Sequence, residues 1–344
     1  MSAVDSILAT AIAARVFPGA VIELGRANGP VRTFTAGTLT YAESSQPVNA
    51  RTIYDLASLT KVLSTAALMA GEMADGRMRV NDRVRHWIPS WTGEERQVVT
   101  LRDLLEHASG LPAHRAYYKT RQGRAAFEMA ICEEPLEYSP RTRSIYSDPG
   151  FMLLGFALER AANTSLDRQF HGWRDRELGP DTEVRYLPPR EWITRIAPTE
   201  NSESGEERRG EVHDENAAAL GGVASHAGLF GTAAAVGAAA RWWMRSPSLA
   251  LFAAKSSVPN SSRALGWDTM LPMSSCGTKL SATAIGHTGF TGTSLWIDAA
   301  KDLYVVILTN RVHPSRQGEG IQEVRRALHD AIVTDLEGGA GQAE

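Results

Sequence analysis

Ser58 and Lys61 lie three residues apart and have the side chains needed for nucleophilic chemistry. Apolar residues recur at helical spacing after Ser58, and Gly76 follows them, so the pattern predicts a helix from about Ser58 to Gly76. Residues three positions apart share one face of a helix, so the hydroxyl and the amine meet there. A serine hydroxyl becomes a strong nucleophile only when a base takes its proton. Lysine is such a base only when its amine is neutral, which burial or a neighbouring cation can produce.

Lysine is rare in this chain, which draws attention to Lys61. Of the 36 lysines and arginines among 344 residues, only five are lysines. Arginine keeps its proton in proteins, so a titratable amine at position 61 is consistent with proton transfer. The alternative is chance, because an isolated serine and lysine at this spacing are common.

Two downstream segments carry groups that suit the same chemistry. The first is Tyr146-Ser147-Asp148, whose phenol can hold or pass a proton beside a serine. The second, from Gly286 to Thr293, combines a strand-like start with small residues, so its backbone N–H groups can face an oxyanion. Three ordered motifs are far more specific than the serine and lysine alone.

In these motifs the chain resembles the serine β-lactamases and penicillin-binding proteins, which share S-x-x-K, a second Ser or Tyr motif, and K-T-G. It looks most like the class C branch, which includes D-amino-acid peptidases and family VIII carboxylesterases. The resemblance covers nearly the whole chain and extends to His107–Pro112, Val212–Gly228 and the strand that ends in Asn310. It implies an α/β (α+β) fold of the β-lactamase/transpeptidase type, an antiparallel sheet flanked by helices plus a mostly helical subdomain.

The resemblance also implies a role for each motif residue. Ser58 is implied to be the acylated nucleophile, and Lys61 to be its proton acceptor, held near Tyr146. Tyr146 is implied to pass the proton to the leaving group and then to activate the deacylating water. The backbone N–H groups of Ser58 and Phe290 are implied to form the oxyanion hole. The implied substrate-binding residues are Asp148, His287, Thr288 and Gly289.

Two positions depart from the family pattern. Asp148 stands where the family often has asparagine, and a carboxylate only accepts hydrogen bonds whereas an amide also donates them. Asp148 therefore either helps to hold Lys61 positively charged or caps the helix that begins at Pro149. His287 replaces the lysine of K-T-G, and a mostly neutral histidine weakens selection for acidic substrates. The alternative for His287 is a strand residue satisfied by hydrogen bonds.

Other candidate residues have structural interpretations. His213 and Asp214 are expected to pin a loop, with lining of the pocket as the alternative, and His107 is expected to be structural. Trp242 and Trp243 are expected to pack rather than to bind a ligand. The chain has no G-x-S-x-G, H-E-x-x-H, Walker or dinucleotide motif, which argues against a nucleophile elbow, a metallohydrolase and a nucleotide enzyme.

The order of the predicted elements indicates one domain, 1–344, with two subdomains. Strand-like runs lie near both ends of the chain, whereas helices fill the middle. We therefore expect an α/β subdomain over 1–56 and 211–344, and a helical subdomain over 57–210. The predicted strands are 19–25, 31–36, 265–268, 286–290, 293–298 and 303–309, and the predicted closing helix is 321–333.

Composition argues against several classes of partner. The net charge is −3 and no basic stripe is present, so neither nucleic acid nor an anionic membrane is an expected partner. Cys132 and Cys276 are the only cysteines, too few for a disulfide framework or a zinc site, and no metal or cofactor is expected. The N-terminus lacks the basic and apolar regions of a signal peptide, so we expect a cytoplasmic protein. The sequence leaves the oligomeric state open.

Together these features predict a serine hydrolase that acts through an acyl-enzyme on Ser58. A short-acyl carboxylic ester is the expected small-molecule substrate. The alternative is an amide or peptide substrate, through β-lactamase, D-amino-acid peptidase or penicillin-binding protein-like activity. A non-catalytic scaffold of the same fold is a further alternative, against which the intact Ser58, Lys61 and Tyr146 argue.

Overall fold

The computed structural model describes residues 2–340, and its centre is an antiparallel β-sheet. The strands in chain order are β1 (Gly19–Gly25), β2 (Val31–Gly37), β3 (Tyr54–Asp55), β4 (Val184–Tyr186), β5 (Leu229–Gly231), β6 (Asp268–Thr269), β7 (Ile285–Thr288), β8 (Ser294–Asp298) and β9 (Leu303–Thr309). Six of them form the central sheet in the order β2-β1-β9-β8-β7-β6. The first and last parts of the chain therefore build one sheet together.

Helices cover both faces of this sheet and fill the middle of the chain. They are α1 (Ala3–Ala13), α2 (Ala66–Ala74), α3 (Val84–Trp87), α4 (Leu101–Leu105), α5 (Arg124–Glu133), α6 (Asp148–Ala162), α7 (Leu166–Glu177), α8 (Glu215–Ala219), α9 (Ala233–Arg245), α10 (Leu249–Phe252) and α11 (Ile321–Ala340). A 3₁₀ turn (Ala57–Leu59) and a π-helical turn (Lys61–Thr65) lead into α2. Within residues 2–340, no helix combines the length and the apolar character needed to cross a bilayer.

Strand β9 has a continuous run of mostly apolar residues because it is buried on both faces of the sheet. Successive side chains of a strand point to opposite faces, and all seven residues of β9 are buried. Val306 and Leu308 join the larger apolar cluster, which includes residues of α2, α6 and α9. Val305 and Ile307 join a second cluster with α1 and α11. A strand that is buried on both faces loses the usual alternation of apolar and polar residues.

A small three-stranded sheet fixes the start of the segment that carries Ser58. Its order is β3-β5-β4, so it joins chain segments that are far apart in sequence. Strand β3 ends at Asp55, two residues before the 3₁₀ turn. The position of Ser58 is therefore set by pairing between distant parts of the chain.

The predicted fold class is confirmed, and several strand and helix bounds need correction. The helix predicted from about Ser58 to Gly76 is α-helical only over Ala66–Ala74, because a 3₁₀ turn and a π-helical turn precede it. The predicted strand 265–268 is wrong except at its end, because Gly266 has a φ of +82° and the Ala264 N–H donates to the Trp267 carbonyl in a turn. The predicted strand 286–290 ends at Thr288, because the chain turns back on itself before β8. The closing helix α11 continues past position 333 to Ala340.

Candidate active site

Ser58 lies on a strained turn that a buried carboxylate stabilises. Ala57 has a φ of +47°, a left-handed conformation that residues other than glycine rarely adopt. The Asp55 carboxylate accepts hydrogen bonds from the N–H of Ala57 at 2.8 Å and from the N–H of His213 at 2.7 Å. Strained backbone that the surroundings hold in place is frequent at catalytic sites. The orientation of Ser58 is therefore fixed by its backbone neighbours.

The side chains of Ser58, Lys61 and Tyr146 converge at one point. Ser58 Oγ accepts a hydrogen bond from Lys61 Nζ at 3.1 Å and another from the Tyr146 hydroxyl at 2.9 Å. Lys61 is fully buried, and its Nζ also donates to the carbonyl of His226 at 3.1 Å. The nucleophile thus lies within hydrogen-bond reach of two groups that carry protons, which is the arrangement that activates serine.

Lys61 forms a buried ion pair with Asp148. The distance from Lys61 Nζ to Asp148 Oδ1 is 2.8 Å. Burial lowers the pKa of Lys61, but the charge of Asp148, the influence of Tyr146 and hydrogen bonds to both groups together outweigh burial and leave this pKa above its ordinary value. Burial alone therefore does not make this amine neutral, and Lys61 is an ammonium in the resting site.

Asp148 faces the catalytic lysine rather than capping a helix. It is the first residue of α6, and the capping residue is Ser147, whose hydroxyl accepts from the Gly150 N–H at 3.1 Å. The capping alternative for Asp148 is therefore wrong. Burial raises the pKa of Asp148, but the charges of Lys61 and His226 and the interactions with the Lys61 and His114 side chains together outweigh burial and hold the pKa of this carboxyl below its usual range. Asp148 is consequently ionised, with its Oδ2 3.9 Å from His114 Nδ1.

Tyr146 is a neutral phenol at rest. Burial raises its pKa above the ordinary value, and the charge of Lys61 opposes that rise only in part. Lys61 Nζ lies 4.8 Å from the centroid of the Tyr146 ring, and the guanidinium carbon of Arg263 lies 5.2 Å from it. Two cations therefore contact this ring and favour any negative charge that develops on its hydroxyl.

His287 is buried and neutral, as its residue type predicted. Burial, with the charges of Lys61 and Arg263, lowers the pKa of His287 to about 3. Its Nδ1 lies 2.9 Å from the carbonyl of Thr288, so Nδ1 carries the proton and Nε2 is an acceptor. Among residues 2–340, Nε2 has no hydrogen-bond partner. Its ring centroid lies 5.9 Å from that of Tyr146, so the free acceptor belongs to the same pocket.

The turn between β7 and β8 packs directly against the turn that carries Ser58. The Thr291 hydroxyl donates to the Asp55 carbonyl at 2.7 Å, and the Thr293 hydroxyl donates to the Leu56 carbonyl at 3.1 Å. A Cβ atom at Gly289 would come within 2.8 Å of the Leu56 carbonyl oxygen, so only glycine allows this approach. Phe290 follows in the same turn and, like Ser58, lines the pocket.

The catalytic pocket has a volume of about 360 Å³ and contains arginines that sequence reasoning missed. Its lining includes Ser58, Tyr146, Asp268, the segment 287–290 and three arginines, Arg263, Arg311 and Arg325. Arginine is the commonest basic residue of this chain, so its type gave no signal. The only hint was position, because Arg311 directly follows the Asn310 that ends a family-like strand.

Two of these arginines make hydrogen bonds to carbonyl groups alone. Arg311 Nε donates to the Phe290 carbonyl at 2.9 Å, and Arg325 Nη2 donates to the Thr293 carbonyl at 2.8 Å. Burial and the nearby charge of Arg311 lower the pKa of Arg325 to about 9, which still leaves it charged at neutral pH. Within the described part of the chain, neither guanidinium has a carboxylate within 4.0 Å. Their positive charge is therefore uncompensated at the pocket.

The remaining candidate residues have structural roles nearby. His213 Nε2 lies 3.2 Å from a Glu200 carboxylate oxygen, so its ring joins two loops. Asp214 caps α8 through the N–H of Ala217 at 2.7 Å and also lies 2.8 Å from His226 Nε2. Since the His226 carbonyl accepts from the catalytic lysine, this pair supports the site without lining it. Trp243 is buried and packs on Trp242, as expected. Residues 2–340 contain no cluster of side chains suited to a metal ion.

Comparison with known proteins agrees with the motifs and their geometry. The family model described as Beta-lactamase matches residues 4–329. The chain belongs to the Beta-lactamase family. A putative D-alanyl-D-alanine carboxypeptidase of Escherichia coli (strain K12) is 33% identical to it, over 78% of this chain and 71% of that protein. The N-acetylmuramyl-L-alanine amidase of Bacillus subtilis (strain 168) is 28% identical, over 90% of this chain and 80% of that protein.

Solved structures show that this Beta-lactamase-family chain has the expected fold. A class C β-lactamase from Rhodobacter sphaeroides superimposes with a TM-score of 0.78 at 19% identity, over 97% of this chain and 99% of that chain. EstCE1, described as a hydrolase with promiscuous acyltransferase activity, gives a TM-score of 0.77 at 20% identity, over 96% and 97% of the two chains. Family membership and the intact serine and lysine motif identify the protein as a serine hydrolase.

Proposed function

We propose that the protein hydrolyses an amide or peptide bond in substrates that carry a free carboxylate, through an acyl-enzyme on Ser58. The observation that carries this proposal is the uncompensated positive charge of Arg311 and Arg325 beside the nucleophile. An arginine guanidinium binds a carboxylate through two parallel hydrogen bonds. A substrate carboxylate would form ion pairs with these two guanidinium groups, which have no carboxylate partner among the described residues.

The relatives support the same substrate class. The E. coli protein is named a putative D-alanyl-D-alanine carboxypeptidase, and the B. subtilis protein is named an amidase. Both names denote hydrolysis of amide bonds. We extend that reaction to this chain because the pocket arginines provide an independent reason to expect an acidic substrate.

The geometry supports a two-step acyl transfer. Ser58 Oγ attacks the carbonyl carbon, its proton passes to the Lys61–Tyr146 pair, and the pair returns it to the leaving nitrogen. Water then attacks the acyl-enzyme, with the same pair as its base. The N–H groups of Ser58 and Phe290 hold the negative oxygen in both steps.

One proton has to leave before the first step begins. Lys61 and Tyr146 are both protonated at rest, so neither can accept the proton of Ser58. The two groups share hydrogen bonds to one hydroxyl and therefore titrate as a unit. The reactive form is the one in which this unit has lost a single proton.

A short-acyl ester is the second candidate substrate. The observation that favours it is the neutral state of His287, whose pKa of about 3 keeps positive charge off the K-T-G position. The acylation chemistry is the same for an ester, because only the leaving group changes. Esters lacking a carboxylate would gain nothing from the arginines.

The test compares two peptides that differ only in charge. One ends in D-alanyl-D-alanine with a free carboxylate, and the other carries a terminal amide. We expect a kcat/KM at least roughly tenfold higher for the acid, since an ion pair in a partly screened cleft contributes on the order of 1–3 kcal/mol. The ester p-nitrophenyl butyrate serves as the neutral reference.

Arg311→Gln and Arg326→Gln form a matched pair for this test. Arg326 lies on α11 beside Arg325, but it donates to the Pro272 and Ser274 carbonyls and does not line the pocket. Arg311→Gln should remove most of the preference for the acid, and Arg326→Gln should leave it unchanged. Equal rates for acid and amide with the unaltered protein would refute the acidic substrate class. Good turnover of the ester in that case would favour an esterase.

A further inference from the structure

His107 accepts hydrogen bonds from the backbone on both sides of Tyr146. Its Nδ1 accepts the N–H of Ser147 at 2.9 Å, and its carbonyl accepts the N–H of Ile145 at 2.9 Å. Its ring centroid lies 4.6 Å from that of Tyr146. A single residue therefore contacts the chain before Tyr146, the Tyr146 ring and the chain after it.

The His107 ring is a neutral acceptor with a fixed tautomer. Because Nδ1 accepts from Ser147, its proton is on Nε2. Burial holds the pKa of His107 well below its ordinary value, and the charges of Arg263 and Lys61 lower it further. A protonated imidazole would lose this acceptor and would repel Lys61. The ring therefore keeps accepting the Ser147 N–H throughout the pH range in which the Lys61–Tyr146 pair titrates.

The backbone of His107 is as constrained as its ring. Its φ is +56°, a left-handed conformation that residues other than glycine adopt rarely, although asparagine, aspartate and histidine adopt it more often than most. Its carbonyl also accepts the hydroxyl of Tyr138 at 3.0 Å, and its side chain is 1% exposed and lies against Phe151. The site thus keeps a buried ring on a left-handed backbone position that glycine and asparagine also accommodate.

We propose that His107 is a positioning residue for Tyr146. Its Nδ1 acceptor anchors the segment 145–147 and so keeps the Tyr146 hydroxyl within 2.9 Å of Ser58 Oγ. This inference rests on the part that the proposed function gives to Tyr146. A purely structural histidine would contribute to stability, whereas a positioning residue also sets the rate of acyl transfer.

Two substitutions separate the acceptor from the backbone strain. His107→Gly and His107→Asn both suit a positive φ, but only asparagine retains an acceptor near the position of Nδ1. We expect His107→Gly to lower kcat by about 10- to 100-fold with a smaller change in KM, as misplacement of a catalytic group by about 1 Å does. His107→Asn should restore kcat to within a few-fold of the unaltered protein. The rate of Ser58 labelling by a fluorophosphonate probe should follow the same order.

Tyr138→Phe is the structural control, because it removes a hydrogen bond to the His107 carbonyl and leaves the ring in place. It should lower the melting temperature without changing the labelling rate more than about twofold. The inference is overturned if His107→Gly labels as fast as the unaltered protein, or if His107→Asn is folded and no faster than His107→Gly. Tyr146→Phe distinguishes the two hypotheses. If it slows labelling and His107→Gly does not, only the positioning role fails. If it has no effect, the proposed part of Tyr146 fails, and the inference fails with it.

Discussion

At Lys61, the charge of a neighbouring carboxylate is the largest of the influences that oppose burial and keep the amine protonated. Asp148 stands 2.8 Å away where much of the family has an uncharged asparagine. An asparagine would leave burial as the main influence on the pKa of Lys61, and burial favours the neutral amine. The carboxylate, together with Tyr146, reverses that preference. We therefore expect the residue that departs from the family pattern to influence how much of the enzyme is in its reactive form at a given pH.

The pH dependence of turnover tests this reversal. The pKa values of Lys61 and Tyr146 are both raised, so the singly deprotonated pair gains population as pH rises, and kcat/KM should increase on the alkaline side of neutrality. Asp148→Asn removes the negative charge that stabilises the ammonium, which lowers the pKa of Lys61. The midpoint of the profile should move to lower pH by roughly 1 unit or more.

Asp167→Asn is the control for this profile, since Asp167 lies in the first turn of α7 and outside the catalytic pocket. Its midpoint should match that of the unaltered protein. If Asp148→Asn folds and keeps the same midpoint, Asp148 does not control the charge of Lys61.

Substitution of the two motif residues tests the nucleophile and the base separately. Ser58→Ala should abolish both turnover and covalent labelling. Lys61→Arg should lower kcat by roughly 10²- to 10⁴-fold, because a guanidinium keeps its proton and general base catalysis is lost. Lys255→Arg, at an exposed position, controls for the exchange of lysine by arginine. Near-normal kcat for Lys61→Arg would mean that another group takes the Ser58 proton.

At the scale of elements, two turns from distant parts of the chain form the proposed reaction centre. The turn after β3 carries Ser58, the proposed nucleophile, and the turn after β7 carries Phe290. Hydroxyl groups of Thr291 and Thr293 tie the second turn to backbone carbonyls of the first. The separation of the two candidate oxyanion donors is therefore set by contacts between turns rather than by either strand alone.

Gly289→Ala should disturb this contact while leaving the sheet intact. A Cβ at position 289 would lie 2.1 Å from Thr293 Oγ1 and 2.8 Å from the Leu56 carbonyl oxygen, so the turn has to shift. We expect kcat to fall by roughly 10²- to 10³-fold, the loss typical of one missing oxyanion donor. Steady-state kinetics, with circular dichroism as a check of the fold, measure this effect.

Gly172→Ala provides the matched glycine control. Gly172 is an exposed position within α7, and a Cβ there meets nothing within 4 Å. Alanine should stabilise the protein by roughly 0.5–1 kcal/mol without affecting kcat, because it favours the helix. Unchanged kcat for Gly289→Ala would argue against an oxyanion hole that includes Phe290.

On the scale of the whole molecule, the pocket and the protein carry opposite charge. The net charge of the chain is −3, yet Arg263, Arg311 and Arg325 line the same pocket. These arginines come from separate segments, a loop before β6, the end of β9 and helix α11. The local positive charge of the pocket favours an anionic substrate even though the net charge of the protein is negative.

Salt should weaken this selection. Raising the ionic strength from roughly 0.01 M to roughly 1 M shortens the Debye length from about 30 Å to about 3 Å. The kcat/KM for the carboxylate peptide should fall several-fold over this range, while that for p-nitrophenyl butyrate should change little. A parallel response of both substrates would show that the pocket charge does not attract the substrate.

The family, the fold class and the three residues that meet at Ser58 could be predicted from the sequence. Ser58, Lys61 and Tyr146 were found because they lie in motifs whose order resembles that of a known family, and this order is visible in the sequence. Strand β9 was found with its bounds because a strand buried on both faces leaves a continuous apolar run. The neutral state of His287 also followed from residue type, since histidine is mostly neutral near pH 7.

The charge of the site depends on contacts that form only in the folded chain. The pKa of Lys61 depends on burial by distant elements and on one interatomic distance to Asp148, and neither is encoded locally. The arginines of the pocket could not be predicted for a similar reason. Arginine is common in this chain, and only the folded structure shows which arginines line the pocket. The hydrogen bond between His107 and the segment around Tyr146 joins residues about forty positions apart in the chain. The residue type of His107 alone therefore predicted only a structural role. Electrostatics and positioning depend on distance in space, and the folded chain alone sets those distances.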